Sequence, residues 1–255
     1  MFTKAIVRIP CKNLVEGLTT ANLGKPVYKL ALKQHREYVE ALKECGLEVT
    51  VLDADEKYPD STFVEDTALL TPNVAIITNP GADSRREEIN EMRKVIEGLF
   101  SNVEYIKDPG RLEAGDVMMV GNHFFIGLSE RTNQEGANQL ISILERYSHT
   151  GSKVALDNML HLKSGVSYLE YNNLLITEDF IDRLEFKNFN KILVDDDESY
   201  AANSLWINDK VLVPKGFPKT TEKIKDAGYN TIEVDVSEFR KLDGGLSCLS
   251  LRYLI

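Results

Sequence analysis

Cysteine and tryptophan are the scarcest residues in this chain: its 255 residues hold three cysteines and one tryptophan. An odd number of cysteines cannot pair completely, and Cys11, Cys45 and Cys248 lie far apart without the close paired spacing of a zinc site. The count therefore argues against both a disulfide framework and a structural zinc site. We expect reduced thiols, with Cys11 and Cys45 in structural roles.

Long apolar runs and basic clusters are also missing. Residues 1–10 form a short apolar stretch interrupted by charge, too short and too polar for a signal peptide or a membrane span, so we predict a cytoplasmic protein. Thirty basic residues are dispersed among 40 acidic ones, for a formal net charge of -10. A protein surface that binds nucleic acid or an anionic membrane requires clustered Lys and Arg, so we predict no nucleic-acid partner and no membrane partner.

Cofactor motifs and linkers are absent from the sequence as well. There is no G-x-G-x-x-G fingerprint, no P-loop, and no Gly/Ser-rich or Pro-rich stretch long enough to separate domains. With 43% apolar residues the chain can bury a sizeable core. We therefore predict one domain over residues 1–255.

What the sequence does contain is a recurring unit: a β-rich run, a polar loop, an amphipathic helix and a second apolar run that ends near a polar residue. The copies lie at 5–53, 73–106, 123–157, 174–195 and 211–235. Periodicity alone favours a single doubly wound α/β sheet. Five similar units at regular spacing instead indicate a closed ring, because each unit buries its face only against its neighbours.

Three residues outside regular periodicity are candidates for nucleophilic chemistry. Cys248 follows the pair Gly244 and Gly245, His161 lies beside a Lys-Ser-Gly turn, and Glu113 precedes another glycine. A thiol, an imidazole and a carboxylate can serve as nucleophile, proton carrier and orienting group. Each also has a structural interpretation: a buried thiol, a packed histidine and a turn cap, respectively.

Charged residues in apolar surroundings suggest a site for a charged ligand. Glu65 and Asp66 lie between apolar residues, where a carboxylate is costly unless a cation such as a guanidinium pairs with it. Arg85 and Arg131 each follow a predicted strand and are candidates for holding a substrate carboxylate, since a guanidinium pairs well with that planar group.

Five short motifs occur in a fixed order along the chain: Phe63-Val64-Glu65-Asp66-Thr67, Leu112-Glu113-Ala114-Gly115-Asp116, Ser129-Glu130-Arg131-Thr132, His161-Leu162-Lys163-Ser164 and Gly244-Gly245-Leu246-Ser247-Cys248. Each motif is weakly specific, but together they resemble the guanidino-modifying enzymes of the pentein superfamily. Within that superfamily the chain is most similar, essentially from end to end, to the dimethylarginine dimethylaminohydrolases. The resemblance implies a five-bladed α/β propeller (pentein fold) with pseudo-fivefold repeats and a central site.

The resemblance also implies roles for individual residues. Cys248 is the implied covalent nucleophile, His161 the general acid and base, and Glu113 the carboxylate that orients His161. The implied substrate-binding residues are Leu18 through its backbone, Asp60, Glu65, Asp66, Arg85, Arg131 and Leu242 through its backbone. Ala114 departs from the glycine that is usual at its position, which would strain the loop if that position required a positive φ.

The implied reaction is hydrolysis of Nω-methylated arginine to L-citrulline and dimethylamine or methylamine through a cysteine thiouronium intermediate. It requires no metal and no organic cofactor, and its partner is a small guanidino amino acid; a homodimer is possible. Two alternatives stay open. One is an arginine deiminase or another guanidino-group hydrolase, and the other is a non-catalytic binding protein with the pentein fold.

Overall fold

The computed structural model describes residues 1–157 and 159–254. Within these residues, fifteen strands form five separate three-stranded sheets. In four of the sheets the middle strand is antiparallel to the strand before it in the chain and parallel to the strand after it, which it reaches through a helical crossover. The fifth sheet has the same pattern, but its antiparallel strand is β15, from the C-terminal end of the chain. The five-unit ring predicted from the sequence is therefore confirmed, and the single doubly wound sheet is wrong.

The strands are three to six residues long. Sheet by sheet they are β15 Leu251–Tyr253, β1 Lys4–Arg8 and β2 Glu48–Leu52; β3 Ala68–Leu70, β4 Ala75–Ile77 and β5 Val103–Tyr105; β6 Val117–Val120, β7 His123–Leu128 and β8 Thr150–Ala155; β9 Val166–Tyr168, β10 Asn173–Ile176 and β11 Asn190–Leu193; β12 Leu205–Ile207, β13 Lys210–Pro214 and β14 Asn230–Val234. The first sheet joins both chain ends, because β1 pairs with β15 on one side and β2 on the other. This pairing closes the ring.

The helices lie between the second and third strands of the sheets, apart from a short sixth one. They are α1 Tyr28–Glu44, α2 Ile89–Glu97, α3 Gln134–Arg146, α4 Glu178–Ile181, α5 Pro218–Asp226 and α6 Ser237–Arg240. Among the described residues, no helix is both long enough and apolar enough to cross a membrane.

Local sequence signals explain where several helices begin and end. The Asn133 side chain accepts a hydrogen bond from the Gly136 backbone at 2.8 Å and so caps the start of α3. Pro218 occupies the first turn of α5, where its missing N–H costs nothing. After α1, Gly46 adopts a φ of 85°, a left-handed conformation that glycine adopts without strain.

The repeated sequence units match the second strand, the helix and the third strand of each sheet, but they miss the first strand. That strand is three or four residues long, and in every sheet a turn of 3-10 helix lies just before it. These turns are Val64–Thr67, Ala114–Asp116, Leu162–Ser164, Asp196–Ala202 and Ser247–Leu249. Turns of neighbouring sheets contact one another, so these loops meet near the axis of the ring.

Candidate active site

A cavity of about 140 Å³ opens among these central loops. It contains nine of the side chains or backbone segments that the sequence singled out: Leu18, Asp60, Asp66, Arg85, Glu113, Arg131, His161, Leu242 and Cys248. Residues as far apart in the chain as Leu18 and Cys248, 230 positions from each other, therefore share one site. Within the part of the chain that the structure describes, Glu65 does not line this cavity.

His161 and Glu113 form a buried ion pair in the cavity wall. The Nε2 atom of His161 lies 2.9 Å from Oε2 of Glu113, and Asp66 Oδ1 lies 4.0 Å from the same nitrogen. Burial by itself would lower the pKa of His161, but Asp66, Asp116 and Glu113 outweigh it and raise that pKa to about 9. Although burial opposes ionisation, the hydrogen bond and charge of His161 hold the pKa of Glu113 below its usual value. His161 is therefore a proton donor at neutral pH.

Gly115 allows this pair to sit against Asp66. A Cβ atom at position 115 would lie 2.7 Å from Nδ1 of His161 and 2.9 Å from Oδ1 of Asp66, closer than real contacts allow. The backbone N–H of Gly115 also donates to Asp66 Oδ1 at 3.0 Å. Ala114, by contrast, lies in the 3-10 turn outside the left-handed region, so its side chain introduces no backbone strain.

Cys248 lies on the opposite loop with its thiol buried. The backbone N–H of Gly245 points at its Sγ atom at 3.4 Å. Burial raises the pKa of the Cys248 thiol to about 12, and the carboxylates of Glu65 and Asp66 act in the same direction. At neutral pH Cys248 is therefore a neutral thiol. Gly245 is required here because a Cβ would lie 2.5 Å from the Asn203 side chain, not because of a positive φ.

Asp66 and Arg85 form the floor of the cavity. Arg85 Nη1 donates to Asp66 Oδ2 at 2.6 Å, and Nε and Nη2 donate to both oxygens of Glu88 at 3.1 and 2.7 Å. Nη2 also donates to the Phe63 carbonyl at 2.9 Å. The protein thus supplies the guanidinium that a buried carboxylate at position 66 requires. Most of Arg85's donors are already in use, so it has little capacity left for a substrate carboxylate.

Arg131 and Asp60 also line the cavity. The Arg131 side chain is 21% exposed, and its Nη1 lies 3.8 Å from Oε1 of Glu113, beyond hydrogen-bonding distance. It is the freer of the two predicted arginines. Asp60 accepts hydrogen bonds from the Leu18 N–H at 3.1 and 3.3 Å, which fixes the loop of Leu18 over the cavity.

Glu65 faces away from the cavity that holds Cys248, His161 and Asp66. Its carboxylate is bound instead to Lys163, Ser247 and Arg252 on the far side of the catalytic loops. Successive residues of a short 3-10 turn point in different directions, so Asp66 enters the cavity while its neighbour turns away. The structure does not bring the Glu65 side chain to the predicted substrate-binding surface.

Two further residues support the site and were not identified from the sequence. Asp116 is fully buried and accepts hydrogen bonds from the Ser129 hydroxyl at 2.7 Å and the Leu162 N–H at 2.9 Å, which ties the His161 loop to the Glu113 loop. Asp243 accepts from both the backbone and the hydroxyl of Thr20, holding the loop of Leu18 closed. Asp116 ends one of the five motifs and Asp243 directly precedes another, but only the fold shows what these carboxylates bind.

Asp66, Glu113 and His161 also place one ligand atom each within 4.8 Å of one another, a spacing that a metal ion can use. Hydrogen bonds and ion pairs already engage these groups: Gly115 and Arg85 bind Asp66, and Glu113 binds His161. Two carboxylates around a cavity are equally suited to a guanidinium.

The ring of five sheets with a cysteine, a histidine and carboxylates at its axis defines a guanidino-modifying hydrolase of the pentein superfamily. A family model described as eukaryotic N,N dimethylarginine dimethylhydrolase matches residues 20–153. The chain is 52% identical to N(G),N(G)-dimethylarginine dimethylaminohydrolase of Pseudomonas aeruginosa, over 99% of this chain and 100% of that one. It is 37% identical to the protein of the same name from Streptomyces coelicolor, over 98% and 96%. The chain belongs to the dimethylarginine dimethylaminohydrolase family.

Solved structures agree with this assignment. A cysteine-to-serine variant of the Pseudomonas aeruginosa enzyme in complex with citrulline superposes with a TM-score of 0.98, at 52% identity and 99% coverage of both chains. The N-terminal domain of the cyanobacterial arginine dihydrolase ArgZ, covalently bound to a reaction intermediate, gives a TM-score of 0.87 at 20% identity, covering 98% of this chain and 97% of that one. The second likeness shows the shared fold alone.

Proposed function

We propose that this protein hydrolyses Nω-methylated arginine to L-citrulline and dimethylamine or methylamine. The observation that carries the proposal is the 52% identity, over 99% of this chain, to an enzyme named for that reaction. The cavity supports it independently, because Cys248, His161, Glu113 and Asp66 line one space. A non-catalytic binding protein would have no use for a thiol, an imidazolium and carboxylates brought together in this way.

In this proposal the substrate guanidinium lies between the carboxylates of Asp66 and Glu113. Charged hydrogen bonds of this kind are directional and hold the planar cation in a fixed orientation. Asp60 and the Leu18 backbone bind the substrate α-amino group. Arg131 binds the substrate carboxylate, since its Nη1 lies 3.8 Å from Glu113, beyond hydrogen-bonding distance, and Arg85 chiefly holds Asp66 in place.

The bound cation solves the problem of a neutral nucleophile. A unit charge about 4 Å from the sulfur contributes about 4 kcal/mol at an effective dielectric constant near 20, equivalent to about three pKa units. Substrate binding therefore lowers the pKa of the Cys248 thiol from about 12 towards the range where thiolate forms, with its proton released to water. The nucleophile is activated by the molecule that it attacks.

The chemistry then runs in two halves. The thiolate forms a bond to the guanidinium carbon, and the C–N bond to the methylated nitrogen breaks as His161 donates its proton to the leaving amine. The product of this half is a thiouronium on Cys248. Neutral His161 then takes a proton from water, and the resulting hydroxide attacks the same carbon. The C–S bond breaks as the added hydroxyl passes its proton to the departing sulfur, which releases citrulline and restores the neutral thiol.

Citrulline release from asymmetric dimethylarginine, monomethylarginine and arginine, measured in parallel, tests the proposal. Preference for the methylated substrates with loss of all activity in Cys248→Ser is the expected result. Preference for arginine would assign the protein as a deiminase instead. An active Cys248→Ser variant would contradict the covalent route.

Three predictions from the sequence concern the protein as a whole. A single domain over residues 1–255, a homodimer and a cytoplasmic location stay predictions. Light scattering after size exclusion measures the mass in solution and distinguishes one copy of the 28.7 kDa chain from the possible homodimer.

A further inference from the structure

Glu65 has a set of partners that the proposed chemistry does not use. Its carboxylate is 3% exposed. Oε1 accepts from Lys163 Nζ at 2.7 Å and from Arg252 Nη2 at 2.9 Å, and Oε2 accepts from the Ser247 hydroxyl at 2.7 Å. Two cations and one hydroxyl therefore surround one buried carboxylate.

The partners of Glu65 lie next to the residues that carry the chemistry. Glu65 directly precedes Asp66, Lys163 follows His161 by two residues, and Ser247 directly precedes Cys248. One carboxylate thus joins the loops of three different sheets. A displacement of Glu65 would change the positions of these three loops relative to one another.

A second set of hydrogen bonds, from Asn203, fixes the orientation of the Ser247 hydroxyl. Asn203 Nδ2 donates to Ser247 Oγ at 3.0 Å and to the Lys163 carbonyl at 2.9 Å, while the Ser247 N–H donates to Asn203 Oδ1 at 2.9 Å. Because the Ser247 hydroxyl accepts from Asn203, its own proton is directed to Glu65. Arg252 Nη1 also donates to the Ser247 carbonyl at 3.1 Å. Ser247 is therefore held through its hydroxyl, its N–H and its carbonyl.

The charges of the network act on the thiol. Lys163 and Ser247 line a small cavity of about 40 Å³ together with Cys248 and His161. With one carboxylate and two cations, the group of Glu65, Lys163 and Arg252 carries one excess positive charge behind the nucleophile. Removing Glu65 would leave two cations near the sulfur, whereas removing Lys163 would leave a neutral pair.

We propose that Glu65 is a positioning residue, which fixes the loops of Asp66, His161 and Cys248 through Lys163, Ser247 and Arg252 and which balances the charge behind the nucleophile. The proposal rests on the proposed function for the reaction concerned. It gives Glu65 no contact with the substrate. Its role is therefore separable from that of Asp66, which faces the cavity.

The charged and titratable groups around the sulfur define what a test must separate. They are Glu65, Asp66, Lys163, Arg252, His161, Tyr38, Tyr200 and Asp243. Substitutions at Glu65 and Lys163 change the charge behind the thiol and leave the groups facing the substrate intact. The second-order rate of alkylation of Cys248 by iodoacetamide, followed from pH 6 to 10 by peptide mass spectrometry, reports thiolate formation without substrate turnover.

In Glu65→Gln the pH profile of the alkylation rate shifts to lower pH by about one unit. Alkylation at pH 8 is therefore about tenfold faster than in the wild-type protein. Turnover of methylated arginine changes in the opposite direction: kcat falls about tenfold to a hundredfold, because the loops lose their relative positions, while KM changes less than threefold. Lys163→Met shifts the profile to higher pH. Glu65→Asp keeps the charge but not the reach, so its alkylation profile stays in place while kcat falls.

Glu40→Gln is the matched control, because Glu40 forms an exposed pair with Lys43 on α1, and both readouts stay unchanged in it. Any of three results would overturn the proposal. The alkylation profile of Glu65→Gln could stay in place, the profile of Lys163→Met could shift in the same direction as that of Glu65→Gln and by as much, or kcat of Glu65→Asp could stay unchanged. If Glu65→Gln fails to fold, Lys163→Met and Glu65→Asp carry the same test. If the unmodified protein turns over no methylated arginine, the proposed function fails, whereas the alkylation shifts still decide the charge balance.

Discussion

Replacing Glu113 by glutamine removes one charge from the candidate site while keeping its shape. Glu113 is 1% exposed, and its Oε2 lies 2.9 Å from His161. Its Oε1 accepts a hydrogen bond from the Ala82 N–H at 3.2 Å, and a glutamine oxygen can do the same. The variant should therefore fold while losing the ion pair with His161.

The size of the effect follows from the protonation of His161. Its pKa is raised from 6.5 to about 9, which corresponds to about 3 kcal/mol of extra stabilisation of the imidazolium. Asp66, Asp116 and Glu113 share this stabilisation, so loss of Glu113 should lower the pKa by about one unit or more. Because His161 must carry a proton to protonate the leaving amine, the loss of activity towards high pH begins at lower pH in the variant. Orientation of the ring is lost too, and we expect kcat/KM at pH 7 to fall about 100-fold or more.

The assay is citrulline release from dimethylarginine between pH 5 and 10 under limiting substrate. Glu40→Gln, with its exposed ion pair, controls for the substitution itself. The reasoning is refuted if the alkaline limb of Glu113→Gln coincides with that of the unmodified protein, or if its kcat/KM stays within threefold. Far-UV circular dichroism and the urea midpoint establish that the variant is folded.

Three further predictions test other parts of the structure. Gly115→Ala places a Cβ 2.7 Å from His161 and should lower kcat about 100-fold. Gly98→Ala is the control, because the nearest atom to its Cβ is 3.4 Å away, and it should leave activity unchanged. Equal activities of the two variants would contradict the close approach at Gly115. Arg131→Met should raise KM for methylarginine about 100-fold but leave a methylated agmatine, which lacks the carboxylate, unaffected; equal losses on both would reject the carboxylate contact. Burial lowers the pKa of His35 to about 4 from 6.5, so folding favours its neutral form and stability falls as pH decreases through this range. Between pH 7 and 5 the free energy of unfolding, measured by urea denaturation, should fall by about 2 kcal/mol more in the wild-type protein than in His35→Gln. Equal pH dependences of the two unfolding free energies would contradict the titration of His35.

The sequence by itself determined the repeat and most of the site's membership. The amphipathic helices predicted within the units at 5–53, 73–106 and 123–157 are observed as α1, α2 and α3, because an apolar helix face and end signals are local properties. The five motifs likewise identified Cys248, His161, Glu113 and Asp66 as a group. That grouping rested on the resemblance of the motifs, taken in order, to a known family.

The first strand of each sheet could not be read from the sequence. β3, β9, β12 and β15 have three residues each, and β6 has four, too few for a periodic pattern. They exist because the preceding turn and the neighbouring middle strand hold them in place, as in the pairing of Ala68 with Ile77. Short strands are decided by their neighbours rather than by their own composition.

The tertiary structure alone decided which way each charged side chain points. Glu65 and Asp66 are adjacent and chemically similar, yet one joins Lys163 and Arg252 behind the catalytic loops and the other lines the cavity. Arg85 and Arg131 were equivalent candidates in the sequence, but only the fold surrounds Arg85 with carboxylates and carbonyls. Side-chain direction depends on backbone geometry, and hydrogen-bond partners come from distant parts of the chain. The sequence therefore specified which chemical groups are present, and the closed ring determined which of them meet.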